Sequence, residues 1–362
     1  MVINIKKIAV CVFSFIIVLQ SYSKVLFSQD SIYQAFIFYS LIIFALMIFF
    51  SSRFELADIF IIGLSFIAYI LLGNGFALKL VLVSLALRYC NIDVFLRFYL
   101  YLACLIFIFV IVFGTAETTD VFYKGEGTLK TIRETLGFDN PNKAFYYITP
   151  IITCLLFLYY KRYPFCSLII IVAVTYFIFT KTLTTTGLLS NLILVIMLLL
   201  YRLFPRISER ILSNTALVPI LIILLTSVSF SLAYFYHSND YMNSLLSLRP
   251  LFWYEVLNAG YIELIFMGQP YDTHNIPLDN SYIQAVYYMG LFFFLIMIYC
   301  YWLGLSIAKK NGNSIALITI LIIYTTIYSF GETFFIEPTL NLTFIIVFNF
   351  IWTLKRYESI NL

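Results

Sequence analysis

Apolar runs of bilayer length follow one another along this chain almost from end to end. An α-helix rises about 1.5 Å per residue, so about 20 apolar residues cross the roughly 30 Å hydrocarbon core of a bilayer. Inside hydrocarbon every backbone N–H and C=O must find its partner within the protein, which restricts spanning structures to helices and closed barrels. The runs recur too closely for a soluble domain of ordinary size to fit between them. The chain therefore reads as all-α, a polytopic integral membrane protein forming one transmembrane domain over residues 1–362. Composition agrees, with 62% hydrophobic and 11% charged residues and a mean hydropathy of +0.97. An average soluble domain carries about 25% charged residues.

Hydropathy and flanking charge place about 12 transmembrane helices, at about 8–26, 32–50, 56–72, 76–90, 98–113, 144–160, 165–180, 187–201, 216–236, 282–304, 314–330 and 340–354. Lys6 and Lys7 ahead of Ile8–Leu19 look like the start of a signal peptide, but no small-x-small cleavage site follows, and a retained first span is expected. The span at 76–90 carries Lys79 and Arg88, whose stems are expected to snorkel toward headgroups.

Twelve spans put both termini on one side. That side holds fourteen Lys and Arg residues against seven on the other, which places both termini in the cytoplasm. Two outer-face loops are long, at about 114–143 and 237–281, while every inner loop is short. Loops beyond about 12–15 residues are usually functional or disordered. The second contains a segment, 251–266, that is expected to form an amphipathic helix on the membrane surface.

The net charge of +4 is scattered in short clusters at span ends, so it points to topology and not to nucleic acid. Six cysteines without a CxxC pair ask for neither a disulfide framework nor a metal cluster. There is no HExxH, P-loop or GxGxxG, so no metal and no nucleotide cofactor is expected. The polar stretch Ser247–Gly290, lying between two long apolar spans, gathers Arg249, four acids, His274 and the aromatics Trp253, Tyr254 and Tyr282. Chemistry, if the chain performs any, is expected there.

Four pieces stand in a fixed order on this topology: GFDNPNKA at 137–144, FTKTLTTTG at 179–187, SLRPLFW at 247–253 and LDNSYIQAVYYMG at 278–290. As an ordered set they resemble the O-antigen polymerase and ligase superfamily of bacterial membrane glycosyltransferases, most nearly its Wzy-type polymerases. The ligase branch carries His-Asn, nine residues, then Gly in the last piece. Here Asp279-Asn280, nine residues and Gly290 keep that spacing with Asp in the His place, which favours polymerase. His274-Asn275 is followed at the same spacing by Ala285. The second piece offers threonines where the family often has a Ser-Arg pair, leaving Lys181 as the nearby cation.

The resemblance implies a GT-C-like glycosyltransferase in the bacterial cytoplasmic (inner) membrane, with its active site on the periplasmic or outer face. It would join undecaprenyl-diphosphate-linked oligosaccharide repeat units, as donor and acceptor, into O-antigen of lipopolysaccharide or a related surface polysaccharide. Membrane lipid and a chain-length regulator protein are the further partners implied. On this reading Arg249 steadies the diphosphate leaving group; the other reading of Arg249 is a headgroup anchor. Asp279 accepts the proton of the attacking hydroxyl, or caps the helix that follows. His274 shares the proton work. Arg133, Lys143 and Lys181 contact phosphate or anchor the surface, and Asn142 and Asn280 contact substrate. Trp253 and Tyr282 stack on sugar rings or sit in the interfacial aromatic belt. Glu332 and Glu337 are solvated loop acids or bind sugar hydroxyls. The ligase branch and a lipid-linked oligosaccharide flippase are the alternatives. A flippase would carry charge inside its spans and show paired halves, whereas charge here collects in outer loops.

Overall fold

A computed structural model describes residues 5–26, 35, 38–40, 42, 56–72, 75–86, 91–114, 123–124, 131–259, 268, 279–312 and 314–360. Among them regular structure is helical except for one short antiparallel pairing of β1 (Tyr123–Lys124) with β2 (Thr131–Ile132). The helices are α1 (Ile5–Leu26), α2 (Leu56–Leu72), α3 (Phe76–Ala86), α4 (Ile92–Phe113), α5 (Lys143–Tyr159), α6 (Pro164–Thr182), α7 (Thr185–Leu203), α8 (Pro205–Leu212), α9 (Leu217–Tyr236), α10 (Asp240–Leu245), α11 (Arg249–Ala259), α12 (Ser281–Lys310), α13 (Ala316–Tyr328) and α14 (Leu342–Ile360).

Five of the described helices, α4, α6, α7, α9 and α12, are long and apolar enough to cross a membrane. Their outer faces suit one. Ile169, Val172 and Tyr176 of α6, and Leu224, Val228 and Phe235 of α9, are exposed at helical spacing, more contiguous apolar surface than a water-facing monomer presents. Most of the span expected at 32–50 lies outside the described residues. The helix expected from about 98 begins at Ile92, because Asn91 Oδ1 accepts the N–H groups of Asp93 and Val94 and caps it early.

The chain divides into two compact units, one of Met1–Ser51 and Tyr89–Phe204, the other of Ser52–Arg88 and Pro205–Leu362. In the first, Tyr22 of α1 is fully buried, stacks on Tyr147 of α5 at 4.6 Å and donates to the Tyr147 carbonyl at 3.3 Å. Helices α6 and α7 form a tight hairpin turned by Leu183 in the left-handed region (φ 52). Buried Asn191 Nδ2 on α7 donates to Thr175 Oγ1 on α6 at 2.8 Å, the kind of polar contact that ties helices with apolar surroundings. Gly187 lies on the Phe145 ring so closely that any Cβ would overlap it.

In the second unit, Trp253, Val256 and Leu257 of α11 pack against Ala233 of α9 and Ile283 and Tyr287 of α12. The helix expected to lie on the membrane surface from 251 is therefore, over its described part, a packed element of the protein core; residues 260–266 lie outside the described residues. Lys79 corrects another expectation. Its Nζ meets both carboxylate oxygens of Glu337 at 2.9 and 3.0 Å, with the two side chains 10% and 17% exposed.

Candidate functional site

The start of α12 organises the second unit's polar region. Asn280 is its N-cap: Oδ1 accepts from the N–H groups of Tyr282 and Ile283 at 2.9 and 3.0 Å. The cap is thus one residue later than the carboxylate considered for it, and Asp279 is left with no capping duty. One turn further the helix widens into a π turn, Ala285–Met289, which closes at Gly290 with φ 82 and ψ 154. That conformation belongs essentially to glycine, so the spacing from Asn280 to Gly290 has a backbone reason. Single π turns within α-helices often accompany functional sites.

Against this helix start lies the segment after α13, where four consecutive carbonyls are gripped in turn. Ser329 O accepts from the Ser281 backbone N–H at 3.0 Å, Phe330 O from Asn280 Nδ2 at 3.0 Å, Gly331 O from Arg249 Nη2 at 3.0 Å, and Glu332 O from Ser281 Oγ at 2.6 Å. Ser281 Oγ also accepts from the Phe335 N–H at 2.9 Å. A buried, irregular stretch of backbone needs such partners, because each unpaired amide group would cost a hydrogen bond's worth of free energy. Asn280, Ser281 and Arg249 are the clamp that holds it.

Arg249 opens α11. The two residues before it, Ser247 and Leu248, both sit in the left-handed region (φ 56 and 61), a rare conformation for side-chain-bearing residues. The turn delivers the guanidinium to Gly331 O and to Asp279, with Nη2 3.8 Å from Asp279 Oδ2. Both side chains remain open, Arg249 at 21% and Asp279 at 43% exposure. Among the described residues these are the polar partners of the Arg249 side chain.

Three residues read as substrate contacts are instead interior. Asn280 is fully buried with both ends of its amide engaged, Nδ2 also donating to Ser229 Oγ at 2.9 Å. Tyr282 is fully buried and donates to Thr326 O at 2.6 Å. Trp253 is 1% exposed and meets Phe330 edge to face at 5.8 Å. None presents a face on which a sugar ring could stack; they position the clamp. Glu332, read as a solvated acid, is buried, and Glu337 is engaged by Lys79 and Thr339. Tyr254 stacks on His237 at 3.7 Å. His274 lies outside the described residues.

The first unit has its own polar node, which joins two of the four sequence pieces. Arg133 donates through Nε to Thr182 O at 2.7 Å and through Nη2 to Asn142 Oδ1 at 2.7 Å and Thr184 Oγ1 at 3.0 Å. The guanidinium that braces the threonine-rich second piece therefore comes from the preceding loop. The expected turn is present, with Asn140 Oδ1 accepting the Asn142 N–H at 2.9 Å ahead of α5. Lys143 lies over the Tyr146 ring at 4.4 Å, and Lys181 makes an exposed 3.0 Å pair with Glu134. Arg133 and Asn142 thus brace each other, while Lys143 and Lys181 rest on weaker contacts from which a stronger anion would draw them.

Sequence reading missed the 329–341 segment as a structural partner of the site. Its signal is the run FGETFFIEPTLN, in which two acids and a glycine interrupt aromatic residues in a loop too short to be solvated throughout.

No protein-family model, curated protein or solved structure matches this chain.

Proposed function

We propose that the chain is a membrane glycosyltransferase of the polysaccharide-polymerase type, joining undecaprenyl-diphosphate-linked oligosaccharide repeat units. It would do so as a protein of about twelve spans, with both termini cytoplasmic and the Arg249 and Asp279 pair on the outer face of the cytoplasmic membrane. The observation that carries the reading is that pair: a partly exposed guanidinium 3.8 Å from a more exposed carboxylate that does not cap the helix. The ordered sequence pieces supply the substrate class.

The reaction needs two things at one place. The acceptor sugar hydroxyl attacks the anomeric carbon of the donor, a new C–O bond forms, and the bond from that carbon to the diphosphate oxygen breaks. Negative charge develops on the departing lipid diphosphate, and fixed cationic donors stabilise it. Arg249 has the planar fork for phosphate oxygens. The hydroxyl proton leaves as the bond forms, and Asp279 is the base within reach of the same point. Gly331 O holds the guanidinium in place, so the site keeps its geometry before substrate arrives.

The test is the purified protein in nanodiscs given a lipid-linked repeat unit, with product length followed by gel and mass spectrometry, with and without chelator. Polymer on the lipid diphosphate supports the proposal. Transfer of a finished glycan to a different lipid acceptor identifies a ligase, movement of the unit across the bilayer without bond formation identifies a flippase, and either result overturns it.

A further inference from the structure

Helix α8 (Pro205–Leu212) has two unlike faces and is held at the end of two membrane-length helices. Its last residue is five positions before α9, and Lys309 Nζ, at the C-terminal end of α12, donates to Ser213 O at 2.8 Å. One face turns inward. Leu212 is buried, and Glu209 takes hydrogen bonds from Ser314 Oγ at 2.7 Å and Ser213 Oγ at 3.3 Å. The other face is exposed and split into two stripes at i, i+4 spacing: Ile207 and Ile211, 59% and 56% exposed, and beside them Arg206 and Arg210.

Lys309 and Lys310 are exposed alongside. The patch therefore carries four cations, and the one acid of α8 is turned away from it by the two serine hydroxyls. Among the described residues no ion pair engages any of the four. An apolar stripe flanked by cations, on a short helix of strong two-sidedness at the end of bilayer-crossing segments, matches the surface that lies in a membrane interface. The exposed isoleucines add apolar area beside the cations, and the cations, which no ion pair engages among the described residues, give the interface a sign.

We propose that α8 is an interfacial foot that sets Ile207 and Ile211 among the upper acyl chains and holds the phosphates of anionic phospholipid with Arg206, Arg210, Lys309 and Lys310. The inference is independent of any glycosyl transfer. It makes the second unit's stability and lipid shell depend on anionic lipid.

The full-length protein, purified in detergent, is offered phosphatidylglycerol or phosphatidylcholine and the lipids retained are counted by native mass spectrometry across a salt series. Wild type should retain phosphatidylglycerol in preference, and the preference should weaken as salt rises. Removing a near-surface cation is expected to lower anionic-lipid affinity about fivefold, so Arg206→Gln/Arg210→Gln and, separately, Lys309→Gln/Lys310→Gln should each lose most of it. Ile207→Ser/Ile211→Ser should reduce retention of both lipids. All six positions are exposed, and unchanged lipid-free unfolding midpoints identify variants that kept their fold. Equal retention of the two lipids by wild type, full preference in both cation variants, equal competition by inorganic phosphate, or a dimer lost with the isoleucines would overturn the proposal.

Discussion

Arg249 Nη2 lies 3.8 Å from Asp279 Oδ2 while donating at 3.0 Å to the carbonyl of Gly331, so one guanidinium ties together residues from three separate parts of the chain. The pair is partly exposed and beyond hydrogen-bond length, and exposed ion pairs contribute little stability. Its value is in what the two groups leave available.

Asp279→Asn should therefore fold and accumulate as wild type does, since Asn280 provides the cap. If Asp279 is the base, turnover in the nanodisc assay should fall by about 10²–10⁴-fold. Arg249→Ala should abolish polymer growth and Arg249→Lys should not restore it, because an ammonium lacks the planar fork. Normal polymer from Arg249→Ala would remove Arg249 from the chemistry.

Asn280→Ala tests a structural role at the neighbouring position. It deletes the cap, worth about 1 kcal/mol, and leaves the part-buried Phe330 carbonyl short of a donor, at up to about 1–3 kcal/mol. Thermal unfolding in detergent should show a clear loss of stability, and Asn280→Asp, which keeps the capping oxygen, should recover part of it. A variant as stable as wild type would contradict the clamp.

Lys79→Met should destabilise the second unit by up to about 3–5 kcal/mol, the cost of stranding one partner of a fully buried pair, since Glu337 keeps 17% side-chain exposure. Lys79→Met/Glu337→Leu, which strands no charge, should regain most of that loss. Denaturant unfolding of the two variants checks both statements, and equal stability of single and double variants would rule out the pairing as a source of stability.

Gly290→Ala forces a side chain into φ 82, ψ 154, a region that costs about 1–3 kcal/mol for any other residue. The strain should be relieved by reshaping the π turn just below Asp279. Hydrogen exchange over 281–292 is expected to speed up; unchanged protection would show that the turn does not depend on glycine.

Periodicity cannot see a clamp made of one residue from α11, two at the start of α12 and four carbonyls beyond α13. Its ends, Arg249 and Asp279, came instead from the polar stretch between two apolar spans and from the resemblance carried by the ordered pieces. The roles of Asn280, Tyr282 and Trp253 were less legible: a polar or aromatic side chain at a span end has the same letter whether it faces substrate or core. Lys79 reads as a cation near a lipid boundary until the fold brings Glu337, 258 positions away, against it.

The amino-acid order alone determined that helices dominate and that their apolar faces call for a hydrocarbon solvent, since hydrophobicity and helical rise are local properties that every segment carries with it. The Asn280 cap, one residue after the carboxylate expected there, and the positive φ of Gly290 came from the structure. Only tertiary structure decided which carboxylates are engaged, which aromatics are interior, and that Arg133 braces the threonine-rich piece. Hydrogen bonds and ion pairs act over a few ångströms, so the partner of each polar group is set by packing between segments far apart in the chain.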